Sequence, residues 1–157
     1  MKTFHEHVVR MSSAGEGISS GMLWSLLGDF ARKPEHFVEL IECSTLDEQS
    51  VQETAHATEF RRSVRFKSGQ RFTETVRLDH DKRRYVARHL ALGAESEFSI
   101  EVAEPEEGAL FLRFKYEETP SAEPVPDFVV QLRRQAYESK DRDLAKRLRE
   151  KLETAQG

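Results

Sequence analysis

Three charged residues, Arg62, Glu74 and Arg88, occupy even-numbered positions in runs where most other even positions are apolar. If those runs are strands, side chains alternate between two faces, and all three charges point to the apolar side. Antiparallel pairing of Arg62 with Glu74, and of Glu74 with Arg88, would bring opposite neighbours within about 5 Å. Glu74 would then lie between two guanidinium groups. Such a triad carries a net positive charge beside hydrophobic walls, and buried ions are costly unless paired or hydrogen-bonded. Two readings stay open. The spare Arg donors hold a carboxylate, phenolate or carbonyl of a mainly apolar ligand, or the three residues form a structural ion network.

Other groups that could do chemistry are few. Tyr137 lies on a helical pattern, where its hydroxyl could reach a ligand or water. His5 and His7 share a strand face, His56 is expected on an inner face and His80 in a turn. No histidine pair has helical metal-ligand spacing, so no metal or other cofactor is expected. There is no Gly-rich phosphate loop and no nucleophile elbow. The single cysteine, Cys43, has no disulfide partner in the chain and reads as a small core hydrophobe. Trp24 reads as a lid or core residue.

Composition bounds the partners. The formal net charge is −4 over 157 residues, and no basic block stands clear of acidic neighbours. A polyanion needs a net basic face, so nucleic acid is not expected. No stretch approaches the roughly 18 apolar residues of a membrane span. The N-terminal residues alternate as a strand, unlike a signal peptide, which points to a cytoplasmic protein. The length fits one domain over residues 1–157. A homodimer stays open, and an exposed apolar patch on the final helix would mark one.

The elements that must position the charges are legible in the periods. Thr3 to Arg10 is a strand, followed by a turn from Ser12 through Ala14 to Gly17. Ser19 and Ser20 offer N-caps for a short helix carrying Met22, Leu23, Leu26, Leu27 and Phe30. Pro34 starts a second short helix with Phe37, Val38 and Leu40 on its apolar side. From Ile41 to Glu118 the period is two, giving six strands near 41–49, 52–66, 70–79, 84–92, 96–104 and 109–118. A helix pattern runs from Asp127 to Thr154 with Val130, Tyr137, Leu144 and Leu148 on one face, widened by Leu132 and Ala136.

Odd-length turns at 67–69, 80–82 and 93–95 keep even positions facing even ones. Three rows then cross the sheet: Phe60–Val76–Val86–Val102–Leu110, Val64–Phe72–Leu90–Phe98–Phe114, and between them Arg62–Glu74–Arg88–Ile100–Leu112. Leu92 falls on the same inner face.

This order, with its Pro-bounded long final helix, resembles the helix-grip superfamily of START-like lipid-transfer domains, birch-pollen allergens and polyketide aromatase/cyclases. More narrowly the chain resembles the AtaL-like family, through Ile18-Ser19-Ser20-Gly21-Met22-Leu23-Trp24, Arg32-Lys33-Pro34-Glu35-His36-Phe37-Val38, Ile41-Glu42-Cys43-Ser44, Phe72-Thr73-Glu74-Thr75-Val76-Arg77-Leu78 and the final helix through Tyr137. The resemblance implies an α+β helix-grip fold: a curved seven-stranded antiparallel sheet around the long C-terminal helix, with two short helices after the first strand. It implies no activity, because the superfamily holds binders, carriers and enzymes.

The expected function is to bind a small, mainly hydrophobic molecule, anionic or neutral, between sheet and helix, as a carrier or sequestering protein. The alternative is a cyclase, aromatase or dehydratase acting on such a molecule. The expected lining is Phe60, Arg62, Phe72, Glu74, Val76, Arg88, Phe98, Ile100, Leu112, Phe114 and Tyr137. On this register, Glu74→Gln and Arg88→Ala should each weaken binding; unchanged affinity in both would dismiss the triad as a ligand site.

Overall fold

Alternating residues become strands and the 3.6-residue patterns become helices, in a computed structural model that describes residues 1–13, 15–91 and 93–156, with side chains through Thr154. Ala14 and Leu92, placed above in a turn and on the inner face, lie outside the described residues. The strands are β1 (Lys2–Arg10), β2 (Ile41–Leu46), β3 (Gln52–Glu53), β4 (Ala57–Phe66), β5 (Arg71–Asp79), β6 (Arg84–Ala91), β7 (Ala94–Glu106) and β8 (Ala109–Glu118). They form one antiparallel sheet in the order β1-β8-β7-β6-β5-β4-β2, with β3 paired to β4. Helix α1 (Ser20–Arg32) follows β1, and α2 (Asp127–Gln156) closes the chain.

Eight strands replace the seven expected, because the run 52–66 breaks. The Thr54 hydroxyl accepts from the backbone N–H of His56 and of Ala57, which turns the chain before β4 begins. His56, expected inside, is exposed there. The second short helix is a single 3-10 turn, Pro34–His36. It buries Phe37 but leaves Leu40 exposed. Cys43, expected in the core, is also exposed. It pairs with Arg65, on the polar face of the sheet.

The largest departure is in β6. The β4–β5 register is the expected one, with Phe60 opposite Val76, Arg62 opposite Glu74 and Val64 opposite Phe72. The β5–β6 ladder instead closes on Asp79 and Arg84, a turn of four residues. The Asp79 carboxylate accepts from the N–H groups of Asp81 and Lys82, and Arg83 adopts φ 52. The Arg83 guanidinium donates to the Ser20 hydroxyl, tying this turn to the start of α1. An even-length turn inverts parity. Tyr85 and Ala87 therefore face the core, and Arg88 and Leu90 face water. A second even-length connection, closed by Ala91 and Ala94 with Gly93 at φ 80, restores parity in β7. Between β7 and β8 the pairing runs two residues beyond the expected one, Phe98 opposite Tyr116 and Ile100 opposite Phe114, so the faces are kept.

The Ser19 hydroxyl caps α1 by accepting from the Met22 N–H at 3.1 Å. Leu23, Leu27, Phe30 and Ala31 of α1 are buried. Helix α2 lays Leu144, Ala145, Leu148 and Leu152 into the same core. Leu132 and Ala136, read as widening that stripe, are exposed. Removing a fully buried leucine loses both transfer energy and packing. Leu148→Ala, at a residue 0% exposed, is expected to cost about 2–5 kcal/mol in urea denaturation. Leu132→Ala, at a residue 60% exposed, should cost under about 0.5 kcal/mol. Equal costs would mean that the N-terminal half of α2 is covered in solution.

Candidate functional site

The concave face of the sheet, the end of α1, the segment after it and α2 enclose a cavity of about 200 Å³. Phe30, Val64, Phe66, Phe98 and Leu144 supply apolar wall. Arg62, Glu74 and Tyr85 form one polar group on it, and Lys140 with Asp141 another. A wider groove of about 750 Å³ lies outside, between α2 and residues 37–40. Val38, Lys140 and Leu144 border both spaces, and so mark the neck between them.

Arg62 is 4% exposed. Its two terminal nitrogens donate to the Ala31 carbonyl and the Tyr85 hydroxyl, each at 2.6 Å. The Glu74 carboxylate lies 3.6 Å away. The guanidinium also lies over the rings of Phe30 and Tyr85, 6.0 and 5.7 Å from their centroids. Burial disfavours its charge, and Tyr85 and Glu74 more than restore it, so its pKa is raised. Its Nε finds no hydrogen-bond partner among the described residues. Burial also pushes the Tyr85 hydroxyl up to about 12, against the pull of Arg62 and with some help from Glu74.

The second polar group comes from α2. Asp141 is fully buried. The Tyr116 hydroxyl donates to its carboxylate at 2.8 Å, and His7 Nε2 lies 2.7 Å from Oδ2. Burial raises the Asp141 pKa, while Lys140, His7 and Tyr116 pull it down. Burial and then Asp141 raise that of Tyr116. The Lys140 ammonium sits over the rings of Phe98, Tyr116 and Tyr137, 4.8, 5.2 and 5.5 Å from their centroids. Loss of water from the ammonium lowers the Lys140 pKa, and Asp141 and Glu74 oppose this. The residue as a whole keeps exposed surface, so water at the groove moderates the effect.

Of the lining expected from sequence, Arg62, Glu74 and Phe98 border the cavity. Phe60, Val76, Ile100, Leu112 and Phe114 are buried in the core around it. Phe72 is half-buried, edge-on to Phe66 and His89. Tyr137 stacks on Tyr116 at 4.0 Å, below Lys140. Arg88 is displaced: the inverted β6 puts it on the outer face, 55% exposed and 3.5 Å from Glu97. Tyr85 takes the inward place expected of its strand. Trp24 is also away from the cavity, donating to His80, which in turn meets Thr58.

Sequence reasoning missed Tyr85, Lys140, Asp141 and the roles of Tyr116 and His7. Asp141 had a signal. It stands four residues after Tyr137 and three before Leu144, so it shares their helix face. Tyr85 had none that outweighed Val86 and Leu90, which made the even face of β6 look apolar.

A long helix held against a curved antiparallel sheet with a cavity between them is the helix-grip, START-like fold. The chain belongs to the AtaL family, described as acetylaranotin biosynthesis cluster protein L, whose pattern matches residues 8–154. No curated protein matches significantly. Among solved structures, the Zhui aromatase/cyclase from a Streptomyces species is similar at a TM-score of 0.60 and 16% identity, covering 95% of this chain and 92% of that one. A START superfamily protein from Mycobacterium smegmatis gives 0.62 and 12%, covering 96% and 97%. The di-domain aromatase/cyclase StfQ of the steffimycin biosynthetic pathway gives 0.64 and 11%, covering 98% of this chain and 52% of that one. At these identities the likeness is one of fold. Among the described residues no helix is long and apolar enough to cross a membrane.

The raised Tyr85 pKa fixes a sign. An unfolded tyrosine ionises near pH 10. The folded one keeps its proton to about 12, so this stability is complete below pH 10 and lost as pH rises through 12. Tyr85→Phe should be less stable near neutral pH by about 1–3 kcal/mol, because Arg62 loses an acceptor. Between about pH 10 and 12 its stability should fall less steeply than that of the native chain. Denaturant titrations across that range give both slopes, and identical slopes would contradict the assignment.

Proposed function

We propose that this protein binds a small, mainly apolar molecule in the cavity between sheet and α2, as a carrier or sequestering protein. The observation that carries the reading is an apolar chamber holding a 4% exposed arginine whose Nε has no partner among the described residues. An apolar space with a few convergent polar groups is the usual form of a small-molecule site. Two cationic and two carboxylate side chains border the chamber, so it favours a ligand with hydrogen-bonding oxygens over a simple anion. A volume near 200 Å³ suits a molecule of one or two rings. The AtaL family membership and the aromatase/cyclase and START neighbours of the fold support ligand binding or a cyclase role in general terms.

A second reading, an enzyme of the cyclase, aromatase or dehydratase type, is favoured by one feature. Asp141 is a buried carboxyl of raised pKa on the cavity wall, hydrogen-bonded to Tyr116 and to His7. That is a suitable acid or base for moving a proton on a bound substrate. Asp141→Asn would then retain binding and lose turnover.

The binding reading is tested by native mass spectrometry of freshly purified protein and by calorimetric titration with 1-naphthol. Val38→Trp, which fills the neck, should weaken binding about tenfold or more. Glu74→Gln should change affinity by about threefold to tenfold, and Arg88→Ala, on the outer face, should leave it unchanged. Absence of both a co-purifying mass and naphthol binding would refute the proposal.

A further inference from the structure

Lys140 is the lysine among the residues bordering the inner cavity. It also borders the outer groove, so it stands at the boundary that the two spaces share. Among the described residues it has no hydrogen bond and no ion pair within 4 Å. Its contacts are the faces of Phe98, Tyr116 and Tyr137. Ring faces stabilise a cation but accept no directed hydrogen bond of ordinary strength. The next residue, Asp141, is also among those that line the cavity. An amine held in an apolar neck beside a proton-exchanging group is the arrangement that amine nucleophiles use on carbonyl compounds. No ion pair must be broken before it reacts.

We propose that Lys140 captures aldehydes or ketones with an apolar frame as a reversible imine at the neck of the cavity. This rests on the binding reading above and adds a covalent step to it. The neutral amine, having released its proton to water, attacks the carbonyl carbon, and the carbonyl oxygen takes up a proton to give a carbinolamine. The nitrogen then loses its extra proton, the hydroxyl leaves as water after protonation, the C=N bond forms as an iminium, and loss of the last N–H proton to water gives the imine. One water is released for each imine, no oxidant or reductant is consumed, and hydrolysis returns both partners. The lowered Lys140 pKa enlarges the neutral fraction that can attack. Water at the groove, where Lys140 keeps exposed surface, supplies and takes up the protons of these steps.

The test uses the full chain with 2-hydroxy-1-naphthaldehyde, trapped by sodium cyanoborohydride and located by peptide mass mapping. Binding of 1-naphthol to the native protein is measured in parallel. Lys140 is expected to carry the adduct about tenfold faster than any other lysine. In Lys140→Arg that adduct should vanish while slow labelling of surface lysines persists. Excess 1-naphthol should slow labelling at Lys140 alone. Labelling spread evenly over the lysines, with 1-naphthol still bound, would overturn the imine proposal and leave the binding reading standing. Even labelling without naphthol binding would overturn both.

Discussion

A guanidinium taken out of water loses strong hydration, and its surroundings must replace it. Arg62 meets that demand from three directions at once. The end of α1 gives the Ala31 carbonyl, β6 gives the Tyr85 hydroxyl and β5 gives the Glu74 carboxylate. One side chain on β4 thereby ties together the end of α1, the inward face of β6 and the polar end of the cavity. Leaving such a charge unmatched would cost several kcal/mol, more than most single contacts contribute. Among the described residues the Nε is left without a partner, and it belongs to a side chain on the cavity wall.

The opposite wall follows the same logic with the signs reversed. Asp141 lies on the packing stripe of α2, where an aliphatic residue would suit the core equally well. Tyr116 and His7, from β8 and β1, make its burial tolerable. The sheet thus supplies a cation and receives a carboxylate from the helix. Helix and sheet are held in register by polar pairs as well as by leucines, and both sets of pairs end at the cavity.

Fold and, outside β6, strand faces were legible in the sequence because they rest on periodicity, which survives errors of a residue or two. The pairing of Arg62 with Glu74 was legible because Gly69 punctuates a three-residue turn between their strands. The place of Arg88 was not. Its side depends on whether the turn after Asp79 holds three residues or four, and that is decided by an aspartate cap and by Arg83 in the left-handed region. Arginine seldom adopts that conformation, so nothing in the residue types announced it. Asp141 was legible in principle, since helical spacing puts it between Tyr137 and Leu144. The apolar members of the stripe drew attention from it.

The four-residue turn has a consequence for how this architecture can diversify. Parity makes register a discrete variable: losing one residue at the start of β6, with the turn keeping its four-residue form, would slip the strand by one and exchange a phenol and a methyl group for an isopropyl and a guanidinium on the concave side. Neighbouring strands would keep their places, and the backbone would hardly register the change. A lineage could thus re-chemise one wall of its chamber by a single codon deletion, with no substitution in any strand. Ligand preference can drift in steps while overall shape stays constant, and chains with little sequence in common can retain one outline around dissimilar interiors.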